Sequence, residues 1–350
     1  MRLTLFNNTK ITKGSKRSLI CDTYKQVYFV MPNSVIYFLD SLNNNSIESL
    51  IRKFPENEKV INDYINFFIS NKLGFLTHEK LKNQFVKPND DFESTSTITN
   101  SIIEVSKLTK PYLKRILFQL FELGCCHIEL RFLLKFSNAD IQILKKILIL
   151  FPQISFQIIG LANINIHIKV WDTLLKGNKN FASLLLFNFN TDLLNRNNCP
   201  DKFFFSESTS FSRKNCGLIE SGYFTINENH FNESLSFNSC LNKKISIDEF
   251  GDVKNCPSMS HSFGNIFKLN LLEIVQKKEF LKYWYIKKDN IEVCNICEFR
   301  NICTDCRAYL QTPSNIFSKP LKCGYDPTTA VWNDWHTSKI SLLAISFYQF

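Results

Sequence analysis

The sequence predicts an α/β protein built from three consecutive zones. Residues 1–88 show short alternating segments followed by helical spacing. Residues 89–205 switch repeatedly between an apolar period near 3.6 and a period of 2. Residues 206–350 hold eight of the twelve cysteines. These observations predict a small strand-and-helix module, a parallel βα domain and a separate cysteine-rich domain.

The first zone predicts strands and then helices. Residues 27–30 and 35–38 alternate in the manner of strands. Helical spacing follows over residues 47–54 and again over residues 60–73. Strands followed by two or three short helices are typical of a winged-helix-like module, and the polar residues 87–97 predict a linker after it.

The second zone alternates between the two periods. Helices are predicted over residues 113–123, 141–150 and 170–176, and strands over residues 127–132, 155–159 and 183–189. This order is typical of βα units around a parallel sheet. A complete eight-fold barrel needs at least about 200 residues, so the zone predicts a truncated or open barrel. Farther on, residues 269–286 also have helical core spacing.

Composition decides how the cysteines are interpreted. A chain of 350 residues with 44% hydrophobic content can bury its own cores without disulfides as staples. Its start has no apolar run long enough for a signal peptide. Its most apolar stretch, residues 141–168, is interrupted well short of the ~18 apolar residues of a membrane span. We therefore expect a soluble, cytoplasmic protein, in which clustered thiols are more often metal or redox groups than disulfides.

The net charge of +10 is spread along the chain, without a run of five basic residues or a recognition motif. Nucleic-acid binding is therefore not predicted. The diffuse charge fits an acidic partner, and it fits equally well the Lys-, Asn- and Ile-heavy usage of an AT-rich genome, which is the favoured interpretation. Neither a Ser/His/Asp arrangement, a glycine-rich phosphate loop nor an H-E-x-x-H helix is evident, so no catalytic residue is assigned.

Cysteine spacing in the third zone predicts metal binding. Cys294 and Cys297 form one C-x2-C pair, and Cys303 and Cys306 form another five residues later. Such a pair places two thiols on one tight turn, where they can share a metal, and it occurs in both zinc and iron–sulfur sites. The cysteines outside this zone are interpreted as small buried hydrophobes: Cys21, Cys125, Cys126 and Cys199.

A second half-site is predicted around a hairpin over residues 245–254. Gly251 supplies the positive φ that a tight turn between two strands requires. The hairpin would bring Cys240 and Cys256 together at its open end. Each half-site must be completed from farther along the chain.

The array resembles the SPASM domain, the auxiliary-cluster domain at the C-terminus of radical-SAM peptide-modifying enzymes. It consists of C-x10-G-x4-C from residue 240, C-x2-C-x5-C-x2-C from residue 294, and Cys323. The family usually has three residues within its last clustered pair, where this chain has only Thr304 and Asp305. The resemblance covers roughly the last third of the chain.

Four segments around the cysteines are more specific. They resemble the SPASM protein of "grasp-with-spasm" peptide maturation systems, which is encoded beside an ATP-grasp ligase and a small precursor peptide. The segments are N-C-P-S-M at 255–259, G-N-I at 264–266, C-T-D-C-R-A-Y at 303–309 and K-P-L-K-C-G-Y at 319–325.

The resemblance implies two four-iron clusters with interleaved ligands. One set is Cys294, Cys297, Cys303 and Cys323. The other set is Cys240, Cys256 and Cys306, which leaves one iron without a protein thiolate. Cys216 is the nearest upstream candidate for that position, and an open iron for a substrate ligand is the rival. Zinc in two four-thiolate sites is the alternative metal.

One motif of the radical-SAM enzymes is missing. Their chemistry requires C-x3-C-x2-C, which leaves one iron free for S-adenosylmethionine, and no such triplet occurs in this chain. The middle zone is therefore interpreted as a degenerate radical-SAM-like barrel without its own cluster. Cleavage of S-adenosylmethionine in the usual way is not expected.

Two functions follow from the resemblance, and the sequence leaves open whether the chain is an enzyme. In the first, the chain takes part in maturing a ribosomal precursor peptide with an ATP-grasp ligase, and the SPASM-like domain positions the peptide or passes electrons. In the second, the chain is a non-catalytic adaptor with structural metals. In both, the first zone would bind the precursor as an added strand at an open sheet edge, and a generic winged helix is its alternative.

Overall fold

The computed structural model describes residues 1–85, 91–163, 165–189 and 202–350. The chain divides into two compact units, each built from separate stretches of sequence. The first unit comprises Met1–Glu93, Gly217–Ser239 and Ile286–Phe350, and the second comprises Ser94–Cys216 and Cys240–Tyr285. Both units therefore take up part of the cysteine-rich zone.

The described strands, in chain order, are β1 (Arg2–Leu5), β2 (Thr9–Lys13), β3 (Arg17–Asp22), β4 (Val27–Pro32), β5 (Gly74–Thr77), β6 (Asn100–Val105), β7 (His127–Lys135), β8 (Ser155–Leu161), β9 (Phe181–Phe187), β10 (Phe203–Ser206), β11 (Lys244–Ile247), β12 (Val253–Lys254), β13 (Tyr325–Asp326) and β14 (Val331–Trp332). The α-helices are α1 (Ser34–Asn44), α2 (Ile47–Lys53), α3 (Glu58–Ser70), α4 (Leu113–Glu122), α5 (Asn138–Leu150), α6 (Ile168–Gly177), α7 (Glu228–Ser236), α8 (Leu271–Val275), α9 (Lys278–Leu281) and α10 (Lys339–Tyr348). No helix among the described residues is long and apolar enough to cross a membrane.

The first unit contains an antiparallel sheet in the order β2-β3-β4, followed by α1, α2 and α3. Successive side chains of a strand point to opposite faces, and here both faces are covered. Ile20 and Phe29 face the core formed with the three helices. Leu19 and Val30 face a second core that contains Phe299. The sheet thus lies between the helices and the cysteine-bearing part of its own unit.

One strand prediction in this unit is wrong. Residues 35–38 lie in α1, not in a strand. Val35, Phe38 and Leu42 are all buried in the same core, at the i, i+3 and i+7 positions of a helix. A four-residue window is too short to separate this spacing from alternation. The strand predicted at residues 27–30 and the helices predicted after residue 46 are present, while the winged-helix identity of the module stays a prediction.

The second unit is a mixed α/β domain. Its seven-stranded sheet has the order β10-β9-β8-β7-β6-β11-β12, and every pair except β11·β12 is parallel. The strands and helices predicted in the middle zone are present, and such a sheet is consistent with the expected radical-SAM-like fold. Leu130, Phe156 and Leu184 of adjacent strands are fully buried in its core.

Two features of this unit were not predicted. Strand β11 comes from the cysteine-rich zone, yet it pairs in parallel with β6. The helical spacing of residues 269–286 forms two short helices, α8 and α9, rather than one. Lys277 between them has an extended backbone (φ −74°, ψ 126°), and its ammonium donates to the carbonyl of Phe263 at 2.6 Å.

Candidate metal centre

Four predicted ligands line one pocket in the first unit: Cys294, Cys297, Cys303 and Cys323. The C-x2-C pair closes a single turn, because the Cys297 N–H donates to the Cys294 carbonyl at 3.0 Å. Val293, just before it, takes a left-handed backbone (φ +67°) that is uncommon for a β-branched residue. Cys323 is held from outside the turn by a parallel bridge to Ile219. Four sulfur donors around one space are the donor set that a four-iron cluster takes.

Aromatic rings form one wall of this four-thiol pocket. The Phe299 and Tyr325 ring centroids are 5.1 Å apart, and those of Tyr325 and Trp332 are 4.9 Å apart. Phe224 packs on Phe299 at 4.9 Å. Rings at this position restrict water around the thiols, and solvent access is one of the factors that set the potential of a cluster.

Burial makes these thiols weak acids in the absence of metal. It raises the pKa of Cys303 to about 12 and raises the pKa values of Cys294 and Cys297 above the ordinary thiol value. A metal binds the thiolate form, so metal binding here must release protons. A metal bound in this pocket would therefore compete with protons for the sulfur atoms.

A buried lysine lies beside two of the four thiols. The Lys288 ammonium is 3.6 Å from the Cys303 sulfur and 4.0 Å from the Cys294 sulfur. Burial lowers the pKa of Lys288, but the negative charge of these cysteines and of Asp305 raises it well above its usual value. The lysine is thus placed to compensate negative charge on these two cysteines.

Asp305 holds this lysine within a buried ionic network. Its carboxylate lies 3.4 Å from the Lys288 ammonium and accepts a 2.8 Å hydrogen bond from Arg307. Asn238 donates to its other oxygen at 2.6 Å. The side chains of Asp305 and Arg307 are fully buried, and charges at that depth are tolerated when they are paired.

Three members of the other predicted set share a second lysine, in the second unit. The Lys244 ammonium lies 4.0 Å from the Cys240 sulfur. Burial lowers the pKa of Lys244, but charge on Cys240, Cys256 and Cys216 raises it above its usual value. Lys244 opens β11, and the hairpin predicted after it is present, with Gly251 at φ +81°. The predicted hairpin is therefore present, while the assignment of Cys240, Cys256 and Cys216 as ligands stays a prediction.

Cys306 belongs to the first unit. Its sulfur lies 2.8 Å from the position that a Cβ on Gly217 would occupy, and Gly217 has φ +84°. Only glycine leaves room at this position, which the sequence reasoning did not identify. Neither Lys244 nor Lys288 was identified either, because a lysine near a C-x2-C pair has no distinguishing pattern.

The remaining cysteines only partly follow their prediction. Cys21 and Cys125 are buried, and burial raises the pKa of each to about 12. Cys126 is exposed instead, and Cys199 lies outside the described residues. Among the residues that the structure describes, no three His, Cys, Asp or Glu side chains are grouped so as to hold a single metal ion.

His230 of α7 is hydrogen-bonded to the backbone of Cys303. Burial and the charge on Lys288 lower the pKa of His230 to about 4. A hydrogen bond with the Cys303 backbone raises this pKa but does not offset the other two effects. Below about pH 6.5 the unfolded chain binds a proton at this histidine that the folded chain does not bind until about pH 4. The stability of the fold is therefore reduced as pH falls through this window.

We expect His230→Gln to flatten the loss of stability between about pH 6.5 and about pH 4. The measurement is the midpoint of urea unfolding of the metal-free protein across this range. His261→Gln is the matched control, since His261 is exposed. Equal pH slopes for the parent protein and His230→Gln would contradict this assignment.

An ion pair occupies the carboxyl end of β6 in the second unit. Glu104 is fully buried and is bound through both oxygens by Arg213, with one donor distance of 2.6 Å. The Glu249 N–H also donates to this carboxylate at 3.1 Å. Ligands of open parallel sheets bind at the carboxyl ends of strands. At β6 the acidic group at that end is already paired.

One segment of the chain matches a known domain family. Residues 239–298 match the family model of the SPASM domain, described as an iron-sulfur cluster-binding domain. The predicted resemblance to the SPASM domain is therefore confirmed over these residues, which do not include Cys303, Cys306 or Cys323. No curated protein matches the chain.

Solved structures give a weaker likeness. The chain is similar to Streptococcus suis SuiB bound to precursor peptide SuiA, with 12% sequence identity, a TM-score of 0.34, and coverage of 91% of this chain and 98% of that chain. SuiB bound to S-adenosylmethionine is similar with a TM-score of 0.33 at the same identity and coverage.

Proposed function

We propose that this chain takes part in maturing a ribosomally synthesised precursor peptide together with an ATP-grasp ligase. The observation that carries the proposal is the SPASM segment, combined with four thiols around one pocket in the same unit as an open-edged sheet. The four sequence segments around the cysteines, from N-C-P-S-M to K-P-L-K-C-G-Y, favour a grasp-with-spasm maturation system over the other peptide-modifying systems that contain a SPASM domain.

The cysteines would hold two four-iron clusters. The four-thiol pocket would take one, and the set that includes Cys240 and Cys256 would take the other. When bound, such clusters supply one-electron transfer. The protein's own contribution is to compensate charge with Lys288 and Lys244 and to restrict water with the aromatic wall. Zinc remains the alternative metal of the proposal.

The open edge of β4 is the proposed peptide site. Within the described residues no strand other than β3 pairs with β4, so its outer backbone groups can pair with an added strand. Tyr28 on β4 contacts Phe299 and Phe224 at 5.9 and 6.1 Å. Both rings line the four-thiol pocket. A peptide strand on this edge would therefore pass beside the pocket wall.

Photocrosslinking tests this edge. We expect a photoreactive phenylalanine analogue at Val27, which is 40% exposed on β4, to crosslink the precursor peptide several-fold more efficiently than the same analogue at Ile149. Ile149 is 74% exposed on α5, so it controls for accessibility. Equal yields at the two positions would rule out the β4 edge as the peptide site.

The second candidate function is a non-catalytic adaptor that recruits the precursor to the ligase. The Glu104–Arg213 pair favours it, because the acidic group at the end of β6 is bound internally. The adaptor function also agrees with the absence of the C-x3-C-x2-C triplet from the sequence, since radical-SAM chemistry requires that triplet. In this version the metals are purely structural.

Reconstitution separates the two functions. This chain is purified anaerobically. The precursor and the ligase are then incubated with and without it, and the products are measured by mass spectrometry. A new product mass that depends on this chain supports the catalytic function. A product mass that never depends on it removes that function, and iron and sulfide analysis of the same sample tests the metals.

A further inference from the structure

We propose that metal loading of the four-thiol pocket controls the order of the β2-β3-β4 sheet, and thereby the strength of peptide binding at its edge. The peptide part of this inference rests on the proposed function. The connecting element is the inter-cysteine segment, residues 298–302, which lies between two of the pocket thiols. Phe299 and Arg300 of this segment line the pocket, while Glu298, Arg300 and Asn301 bind the sheet by polar contacts.

The first contact is a buried acid in the segment. Glu298 follows Cys297 directly and has a fully buried side chain. It accepts a 2.6 Å hydrogen bond from the Arg17 guanidinium of β3 and another from the Tyr325 hydroxyl. Arg17 also donates to the Tyr325 hydroxyl at 3.1 Å. A charge removed from water keeps its place only while these partners stay in position.

Further contacts hold the β2–β3 turn. Arg300 donates to the Lys13 carbonyl at 2.6 Å, and Asn301 donates to the Thr12 hydroxyl at 3.1 Å. The Ser15 N–H donates to the Ile296 carbonyl at 2.8 Å. The sheet is therefore hydrogen-bonded to Arg300 and Asn301 of the segment and to Ile296 just before Cys297, by backbone as well as side-chain groups.

Gly14 brings the two elements into direct backbone contact. A Cβ at this position would lie 2.8 Å from the Glu298 nitrogen and 2.7 Å from the Arg17 carbonyl oxygen. Such distances exclude any side chain. The turn of the sheet therefore fits closely against the segment, and a displacement of one must displace the other.

The ends of the segment explain the dependence on metal. Cys297 and Cys303 are proposed ligands of the same cluster, so metal would fix both ends of a five-residue segment. Without metal the two thiols make no bond across the pocket. Local opening then has a lower free energy, and the sheet that depends on the segment opens with it. Because linkage is reciprocal, peptide bound at the edge would also tighten metal binding.

Hydrogen–deuterium exchange of the full chain, without peptide, tests the coupling. We expect amides of residues 9–32 to exchange at least tenfold more slowly in anaerobically iron–sulfide-loaded protein than in chelator-treated protein. The combined variant Arg17→Gln, Thr12→Val removes sheet-side contacts and keeps every cysteine. We expect this variant to bind the same amount of iron as the parent protein. Its exchange rates in the loaded and chelator-treated forms should differ by less than twofold.

Tyr64→Phe is the matched control. It removes the 2.6 Å hydrogen bond between Tyr64 and Ser34 in the same module, away from the segment, and should keep the full difference. Equal exchange in loaded and stripped parent protein would overturn the proposal. Full metal-dependent protection in the combined variant would overturn the role of these contacts.

A binding measurement keeps this inference separate from the proposed function. Fluorescence anisotropy with the labelled precursor peptide of the proposed function should give at least tenfold tighter binding to loaded protein than to chelator-treated protein. If neither form binds that peptide, the proposed peptide site is wrong, while the exchange result still decides the coupling. If both forms bind it equally, the control of peptide binding by metal is wrong.

Discussion

If the two proposed four-iron clusters form, Cys303→Ser is expected to lose about four of about eight irons per chain, because each cluster needs its cysteine thiolates. Cys303 is buried in the four-thiol pocket, beside the Lys288 ammonium, and a serine hydroxyl does not ionise to replace the thiolate. The measurement is iron and acid-labile sulfide per chain after anaerobic purification, together with the visible absorbance spectrum.

Cys126→Ser provides the matched control for this loss. Cys126 is an exposed cysteine of the second unit outside both predicted ligand sets, so its replacement should leave the iron content unchanged. Full iron content in Cys303→Ser would remove Cys303 from the ligand set. A parent protein that is colourless, zinc-loaded and fully folded would reject iron–sulfur binding altogether.

Asp305→Ala is expected to lower the free energy of unfolding by about 3–5 kcal/mol, the usual cost of leaving a buried charge unpaired. Asp305 is fully buried and contacts the charged groups of both Arg307 and Lys288. Its removal leaves two cations together in the interior beside the thiols. Urea unfolding of the metal-free protein measures the change without a contribution from metal.

Asp289→Asn is the control for that experiment. Asp289 also pairs with two cations, Arg300 and Lys287, but its side chain is 40% exposed. Water compensates exposed charges, so the expected change is below about 1 kcal/mol. A similar, small effect for both variants would show that the Asp305 network does not stabilise the unit.

Local pattern predicted the elements of the second unit well. The strands at residues 127–132 and 155–159 and the helices beside them are present because long, regular periods reflect which side chains are buried. The same reasoning failed at residues 35–38, where four residues fit both periods. It also missed the break at Lys277, because core spacing continues across it.

The candidate site divides in the same way. Spacing alone identified the C-x2-C turn and the hairpin at Gly251, since both are local. The resemblance supplied the grouping of Cys323 with three cysteines some twenty residues or more earlier along the chain, and these four line one pocket. Lys288 and Lys244 were invisible because their role depends on tertiary position. No local pattern marks a charge that the fold places next to sulfur.

The placement of β11 has a consequence for how this protein can be divided. This strand lies between β6 and β12 in the sheet, although its residues belong to the cysteine-rich zone. A gene fragment that ends at residue 205 would encode β6 without its neighbour and expose a long row of unpaired backbone groups, which invites aggregation. The cysteine-rich zone therefore cannot be separated from the rest of the chain as an independent domain. Recombination between relatives would have to exchange it together with the sheet that it completes.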